Sequence, residues 1–359
     1  PWGTPIHPDA PTWDLTNTAA DQARQVGMGH DGMHFFPIDG ASDHGLLVLN
    51  HEYTIDEQLF PDGTANWDAE KTAKSQAAHG VTVVEVRRGD DGDWDVVLDS
   101  PHNRRITASS PMTASGPAAG HDLLKTSYDP TGTALLGTAN NCSMGPTPWG
   151  TYLTCEENAN GYFHRRGKET GPQRKRLDRY GYSATGFGYH WATTDRRFDT
   201  GVEPNEPNRF HWIVEVDPFA PGSTPVKRTA LGRFKHESAQ VTESRDRRVV
   251  VYSGDDERFD HMYKFVGNRP WREYDRARGE SPLDDGVLHV AVFHEDGTGT
   301  WVPLTRQDPR LRRFRDQGQL LVETRLAADL VGATRMDRPE CGLLYTSPSP
   351  RDGLLSRMP

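Results

Sequence analysis

Short β-prone runs in series, Asp-Gly turns between paired runs, and little helical periodicity predict an all-β fold for this 359-residue chain. Strand pairs and tryptophans recur along the chain with large insertions between them. That recurrence favours a β-propeller-like arrangement with long inserted loops and a few short helices over a pair of sandwiches. No repeat of fixed period is visible, so the strand pairs alone carry this expectation.

The strand runs, in order, are GLLVLN (45–50), VTVVEVRR (81–88), WDVVLD (94–99), ALLGTA (134–139) and TYLTCEE (151–157). HWIVEVD (211–217), RRVVVYSGD (247–255), HMYKFV (261–266), VLHVAVF (287–293) and GTWVPL (299–304) follow. GDDGD joins the second run to the third, and HEDGTG joins the last two. Asp-Gly between alternating apolar runs is a hairpin signal. GDDGD also resembles part of a calcium loop, but it lacks a Glu at EF-hand spacing and reads as a plain turn. Helices are expected over Asn66 to His79, which has an N-cap candidate and good helix formers, and over Gln319 to Leu330, where leucines recur at roughly helical spacing. The segment 165–208 is rich in Arg, Gly, Pro and aromatics without periodicity, and its RGKETGPQRKR run is basic. It reads as a solvated excursion, with a substrate-facing lid as the alternative.

The totals narrow the function. Mean hydropathy is -0.75, and the formal net charge is -10. An acidic balance argues against a nucleic-acid partner, which needs a basic face, and is compatible with calcium. No apolar run approaches membrane-spanning length. The three cysteines, Cys142, Cys155 and Cys341, contain no CxxC pair, which excludes a zinc ribbon. Cys142 and Cys155 pair or do not; their spacing does not decide it. The chain begins at Pro1-Trp2-Gly3 without Met or a signal peptide and reads as a fragment or a processed chain. LLYTSPSPRD (343–352) looks like a translated sequencing-adapter scar, so 341–359 is read as a non-native tail.

NNCSMGPTPWGTYLTCEEN (140–158) places a thiol among turn formers and two glutamates beyond a short strand. Acidic residues end other strand runs too, Glu52 in NHEY, Glu237 in KHE and Asp256 in DDER, and Glu340 in RPE follows the late helix. Any one is ordinarily a solvated strand end. In a propeller, loops at one end converge, so residues remote in sequence can meet. Carboxylates packed together repel unless cations neutralise them. Hard cations take carboxylate oxygen, and an added thiolate argues for iron or another transition metal. An arginine beside such a cluster, as Arg338 stands near Glu340, supplies a planar fork for phosphate oxygens. The set favours metal-assisted phosphoryl transfer.

NNCSMGPTPWGTYLTCEEN, LGRFKHE, YSGDDERFDHMYKFV and TRMDRPE, in that order, resemble the PhoX family of alkaline phosphatases over roughly residues 1 to 340. The resemblance implies a propeller-like catalytic domain over 1–340, truncated at both ends. It implies a pair of ferric ions (Fe3+) bridged by oxo and several calcium ions (Ca2+). The substrates it implies are small phosphate monoesters, attacked by an oxygen nucleophile that the metals supply, so that no serine or histidine is phosphorylated. It also implies export of the folded protein by the twin-arginine route to the periplasm or beyond, and a monomer is expected. Carried over by motif, Cys142, Glu237 and Glu340 become iron ligands and Glu52 joins them. Glu156, Glu157 and Asp256 are calcium candidates, and Arg338 holds substrate phosphate. His51 and His236 are packed or support the ligands, and Trp149 packs beside the site. Cys155 is a strand-interior thiol. Two other readings compete: a calcium-dependent propeller hydrolase of phosphodiesters or lactones, which needs no thiolate, and a non-catalytic binding propeller stapled by calcium.

Overall fold

The computed structural model describes residues 1–340, so Cys341 and the segment read as a tail lie outside the described residues. Its strands fall into three main sheets that follow one another along the chain. In the first, β1 (His30–Pro37), β2 (His44–His51) and β3 (Gly80–Arg88) form an antiparallel meander, and β4 (Trp94–Val96) and β5 (Arg104–Ile106) share the far edge of β3. The second holds β6 (Pro111–Ser115), β7 (Ala134–Leu136), β8 (Asn141–Pro146), β9 (Tyr152–Glu156), β10 (Ile213–Val216) and β11 (Val226–Arg228). Their spatial order is β7-β6-β11-β10-β9-β8, with β11 and β6 parallel.

The third sheet is a meander of β12 (Gln240–Glu243), β13 (Arg248–Gly254), β15 (Met262–Pro270), β16 (Gly286–Phe293) and β17 (Gly299–Pro303). The short β14 (Arg258–Asp260) leaves it to pair with β18 (Met336–Asp337). Among the described residues there are five short α-helices, α1 (Ala19–Gln22), α2 (Ala69–Ala78), α3 (Gly171–Arg179), α4 (Gln317–Val322) and α5 (Thr324–Val331), beside several single 3-10 turns. The fold is mostly β and propeller-like, and among the described residues no sheet closes into a barrel.

Both Asp-Gly turns make hairpins: β3 pairs with β4 and β16 with β17, all antiparallel. The middle sheet is covered on both faces. Tyr152 and Val214 pack against Phe36, Leu46, Val48 and Val81 of the first sheet. Leu153, Cys155 and Ile213, one residue out of phase, pack against Val251, Tyr263, Phe265 and Val290 of the third. A strand buried on both faces reads as a near-continuous apolar run, as TYLTC does.

Two expectations need correction. The segment 165–208 is not a solvated excursion. Its basic start and the stretches around 183–188 and 201–204 are exposed, but it forms α3 and buries Leu177, Tyr180, Tyr182, Trp191 and Phe198 in an aromatic cluster with Tyr162, Phe163 and Phe210. Aromatic rings meeting at irregular spacings leave no periodic trace. The late helix is two helices, broken at Glu323, whose carboxylate pairs with Arg176 of α3 at 2.8 Å.

Candidate metal centre

The site begins with two interruptions in strand pairing. The β1–β2 register slips between His30 and Met33, and the β8–β9 register slips between Asn141 and Met144. Asp31 and Cys142 sit in these slips. A bulge re-aims a side chain that a regular pleat would send elsewhere. Gly32 lets the two strands meet there: a Cβ on it would stand 2.9 Å from Ser143 Cα. Asn50 of β2 fastens the contact, its amide donating to the Cys142 carbonyl at 2.5 Å and the Ser143 carbonyl at 3.0 Å. The Tyr152 hydroxyl lies 2.9 Å from the Gly32 carbonyl and 3.1 Å from Asn50 Oδ1, so β9 joins the same knot.

The remaining members stand at or just past strand ends. Glu52 follows β2, its N–H donating to Gly29 at 2.8 Å. Glu157 follows β9; its N–H donates to the Asn140 carbonyl at 2.9 Å, and its own carbonyl accepts from His211 Nδ1 at 2.6 Å. Glu237 stitches two sheets, taking the Ser143 N–H and giving its own to Gly254, both at 3.1 Å. Asp256 follows β13 and donates its N–H to Lys235 at 3.1 Å. Arg338 and Glu340 arrive on the arm beyond β18. Gly254 admits that arm, because a Cβ there would overlap the Pro339 carbonyl.

Three overlapping groups result: Asp31, Glu52 and Cys142; Cys142, Glu157 and Glu237; Glu237, Asp256 and Glu340. Within each, one ligating atom per residue lies within 4.8 Å of the others. Cys142 and Glu237 belong to two groups each, so the seven side chains form one continuous row. The Cys142 thiol is 3.4 Å from Glu237 Oε2.

Burial and mutual repulsion favour the neutral forms of Glu52, Glu157, Glu237 and the Cys142 thiol when no cation is near. Glu157 is pushed up to about 9, first by burial and then by Glu237, Glu52 and Asp256. Glu52 and Glu237 each rise to about 7, with burial again the largest cause. The Cys142 thiol is pushed far up by burial and by the surrounding carboxylates. Among the described residues, no lysine, arginine or histidine pairs with Asp31, Glu52, Glu157 or Glu237, whereas Arg338 forks onto Asp256 at 2.9 and 2.6 Å. Converging carboxylates and a thiol, most of them without a protein counter-charge, are a donor set that fits hard cations plus a thiophilic one.

Of the residues expected from sequence, the structure brings together Glu52, Cys142, Glu157, Glu237, Asp256 and Glu340, with Arg338 at the edge. It does not bring Glu156. Strand alternation turns Glu156 onto the face of β10 and β11 that carries Val214 and Lys227. There it is fully buried, 2.6 Å from Lys227 Nζ and 3.0 Å from the Trp212 N–H. It is one half of an internal ion pair and is dropped as a calcium candidate. Asp31 was missed; its signal is an acid between His30 and Gly32 just ahead of an aromatic strand, which alternation alone does not flag.

Cys142 lies within β8 and not in a turn, and it is not disulfide-bonded to Cys155. Trp149 is not beside the cluster; it donates to Glu215 at 2.8 Å and packs on Trp271. His236 is a packed residue, buried between the Gly232 carbonyl and the Ser253 hydroxyl and pushed down to about 3 by burial. No helix among the described residues is long and apolar enough to cross a membrane.

A family model described as alkaline phosphatase PhoX matches residues 1–351. Among solved structures, Pseudomonas fluorescens PhoX in complex with vanadate, a transition state analogue, is similar at 46% identity with a TM-score of 0.89. The match covers 95% of this chain and 60% of that one, so this chain spans about 60% of that protein's length. No curated protein matches.

Proposed function

The chain belongs to the PhoX family of alkaline phosphatases, and we propose that it hydrolyses phosphate monoesters at the row of carboxylates built around Cys142. The observation that carries this reading is the convergence itself. Seven ligating side chains from all three sheets and the final arm meet, and an arginine stands beside them.

Cys142, Glu237 and Glu340 would hold iron, and Glu52 and the newly found Asp31 would join Cys142 at its end of the row. Glu157 and Asp256 would serve calcium. When bound, such cations would polarise the phosphoryl oxygens, supply the nucleophile and neutralise developing charge. The protein's own part is positioning. Asn50, Tyr152 and His211 fix the backbone under the ligands through the hydrogen bonds described above. Arg338 offers the phosphate a planar, permanently charged fork. Asp256 takes two of its five N–H groups and orients the rest. Arg338 is half-exposed, so a phosphate can reach it from solvent. On the family resemblance we propose a periplasmic or extracellular location.

The test is turnover of an aryl phosphate by the intact, metal-loaded protein before and after chelation. The reading expects activity to vanish on chelation and to return with added calcium and iron. Turnover that survives exhaustive chelation would overturn it.

A further inference from the structure

We propose that Arg179, in the inserted segment 165–208, is a positioning residue for the phosphate-binding Arg338. The inference rests on the reading of Arg338 just given. Arg179 ends α3 and touches no member of the acidic row. Its guanidinium instead bridges two carboxylates on separate elements. It reaches Asp260 at 3.1 Å through Nη1 and at 2.5 Å through Nη2. It reaches Asp329 at 2.8 Å through Nε and at 3.1 Å through Nη2.

Those carboxylates bracket the arm that carries Arg338. Asp329 lies in α5, just before the chain turns through 332–335 into β18. Asp260 closes β14, the strand paired with β18. His261, next to Asp260, adds a cross-tie: its ring lies 2.9 Å from the Thr334 carbonyl and 3.3 Å from Asp329. One guanidinium therefore spans Asp329 near the end of α5 and Asp260, whose partner in β18 is Met336, two residues before Arg338.

The chain here has other ties, Thr334 to Ala291 and Phe293 of β16 and Arg338 itself to Asp256, but the strand between them is slight. β18 is a two-residue strand. Its pairing with β14 is irregular between Arg258 and Asp260. Phe259, inside that irregularity, has φ +69 and is 67% exposed. Arg338 itself has φ +56, a region that side-chain-bearing residues avoid and that surrounding structure must enforce. A fork that clamps Asp260 and Asp329 adds to the hold that Asp256 gives Arg338 and Gly254 gives Pro339.

The site beneath has a separate anchor. Arg325, fully buried, donates to Asp255 at 2.8 Å from Nε, and lies 3.5 Å from Asp260. Loss of Arg179 therefore leaves Asp255 and its neighbour Asp256 in place while the arm above them loosens.

The experiment is a double-mutant cycle on the intact, metal-loaded protein with inorganic phosphate as competitive inhibitor. Arg179→Gln should weaken phosphate inhibition about 10-fold and raise KM for an aryl phosphate similarly, with metal largely retained, because Glu340 is the one member of the row on the arm and the other six side chains lie off it. Arg179→Lys, which keeps the charge but loses the planar fork, should recover part of the loss. In an Arg338→Ala background, Arg179→Gln should change phosphate inhibition less than 2-fold. Equal effects of Arg179→Gln with and without Arg338 would overturn the inference, as would loss of metal in place of loss of phosphate affinity. If Arg338→Ala alone leaves phosphate inhibition unchanged, the reading of Arg338 fails instead.

Discussion

At the scale of single residues, charge explains most of the site. Glu157, Glu52 and Glu237 have folded values of about 9, 7 and 7, all above the ordinary 4.5. Each keeps its proton longer folded than unfolded. In the metal-free protein their contribution to stability is therefore full below about pH 4.5 and is lost as pH rises through 7 to 9. The chelated protein should melt at progressively lower temperature from about pH 5 to about pH 9, and the metal-loaded protein should lack that trend. Parallel melting curves for the two forms would refute this.

His79 works in the opposite sense. Burial pushes it down to about 4; its Nδ1 donates to the Ser75 carbonyl at 2.7 Å, and its Nε2 meets only aromatic neighbours such as Tyr162 and Trp191. Its contribution is full above about 6.5 and falls toward about 4, at up to roughly 1.4 kcal/mol per pH unit. Urea midpoints should fall more steeply with acid in the parent than in His79→Gln, and an unchanged slope would contradict the assignment. Glu237→Gln removes a carboxylate shared by two of the groups proposed to hold metal, so kcat on an aryl phosphate should drop at least about 100-fold with metal lost. Full activity in that variant would mean that the carboxylate was misassigned.

At the scale of elements, the site depends on how closely backbones approach. Gly254 and the Pro339 carbonyl are in contact, so Gly254→Ala must push the Arg338 arm outward. A loss of about 1–3 kcal/mol is expected, together with weaker phosphate inhibition. Gly222→Ala, with nothing within 4 Å of its would-be Cβ, is the control and should change neither. Equal behaviour of the two variants would sink the argument.

This scale also shows what sequence can and cannot carry. Hairpins signalled by Asp-Gly and strands with clear apolar runs, such as β2, β3, β13 and β16, were legible because the signal is local. β1 was not, since HDGMHFFP breaks its own alternation at the bulge that aims Asp31. The two adjacent glutamates after TYLTC look alike in sequence. Only the pairing partner Lys227, 71 residues away, separates Glu156 from Glu157. The aromatic packing of 165–208 was invisible for the same reason, because its partners come from 162–163 and 210.

At the scale of the whole molecule, the members of the row come from positions 31, 52, 142, 157, 237, 256 and 340, spread over nearly all of the described chain. No local motif joins them. A succession of sheets whose strand ends face one hollow does so, which is what a propeller-like fold offers. The family motifs named most of these positions from sequence; the geometry adds Asp31, removes Glu156 and shows Arg338 oriented by Asp256. The account then turns on whether Cys142 is a metal ligand or merely a buried thiol, because a calcium-only hydrolase or a binding propeller has no use for its sulfur. The most direct measurement is the iron and calcium content of the intact protein and its Cys142→Ala variant, read beside aryl phosphate turnover. The account predicts iron and calcium in the parent, and loss of both iron and turnover in the variant. Iron-free parent protein, or a variant as active as the parent, would contradict it.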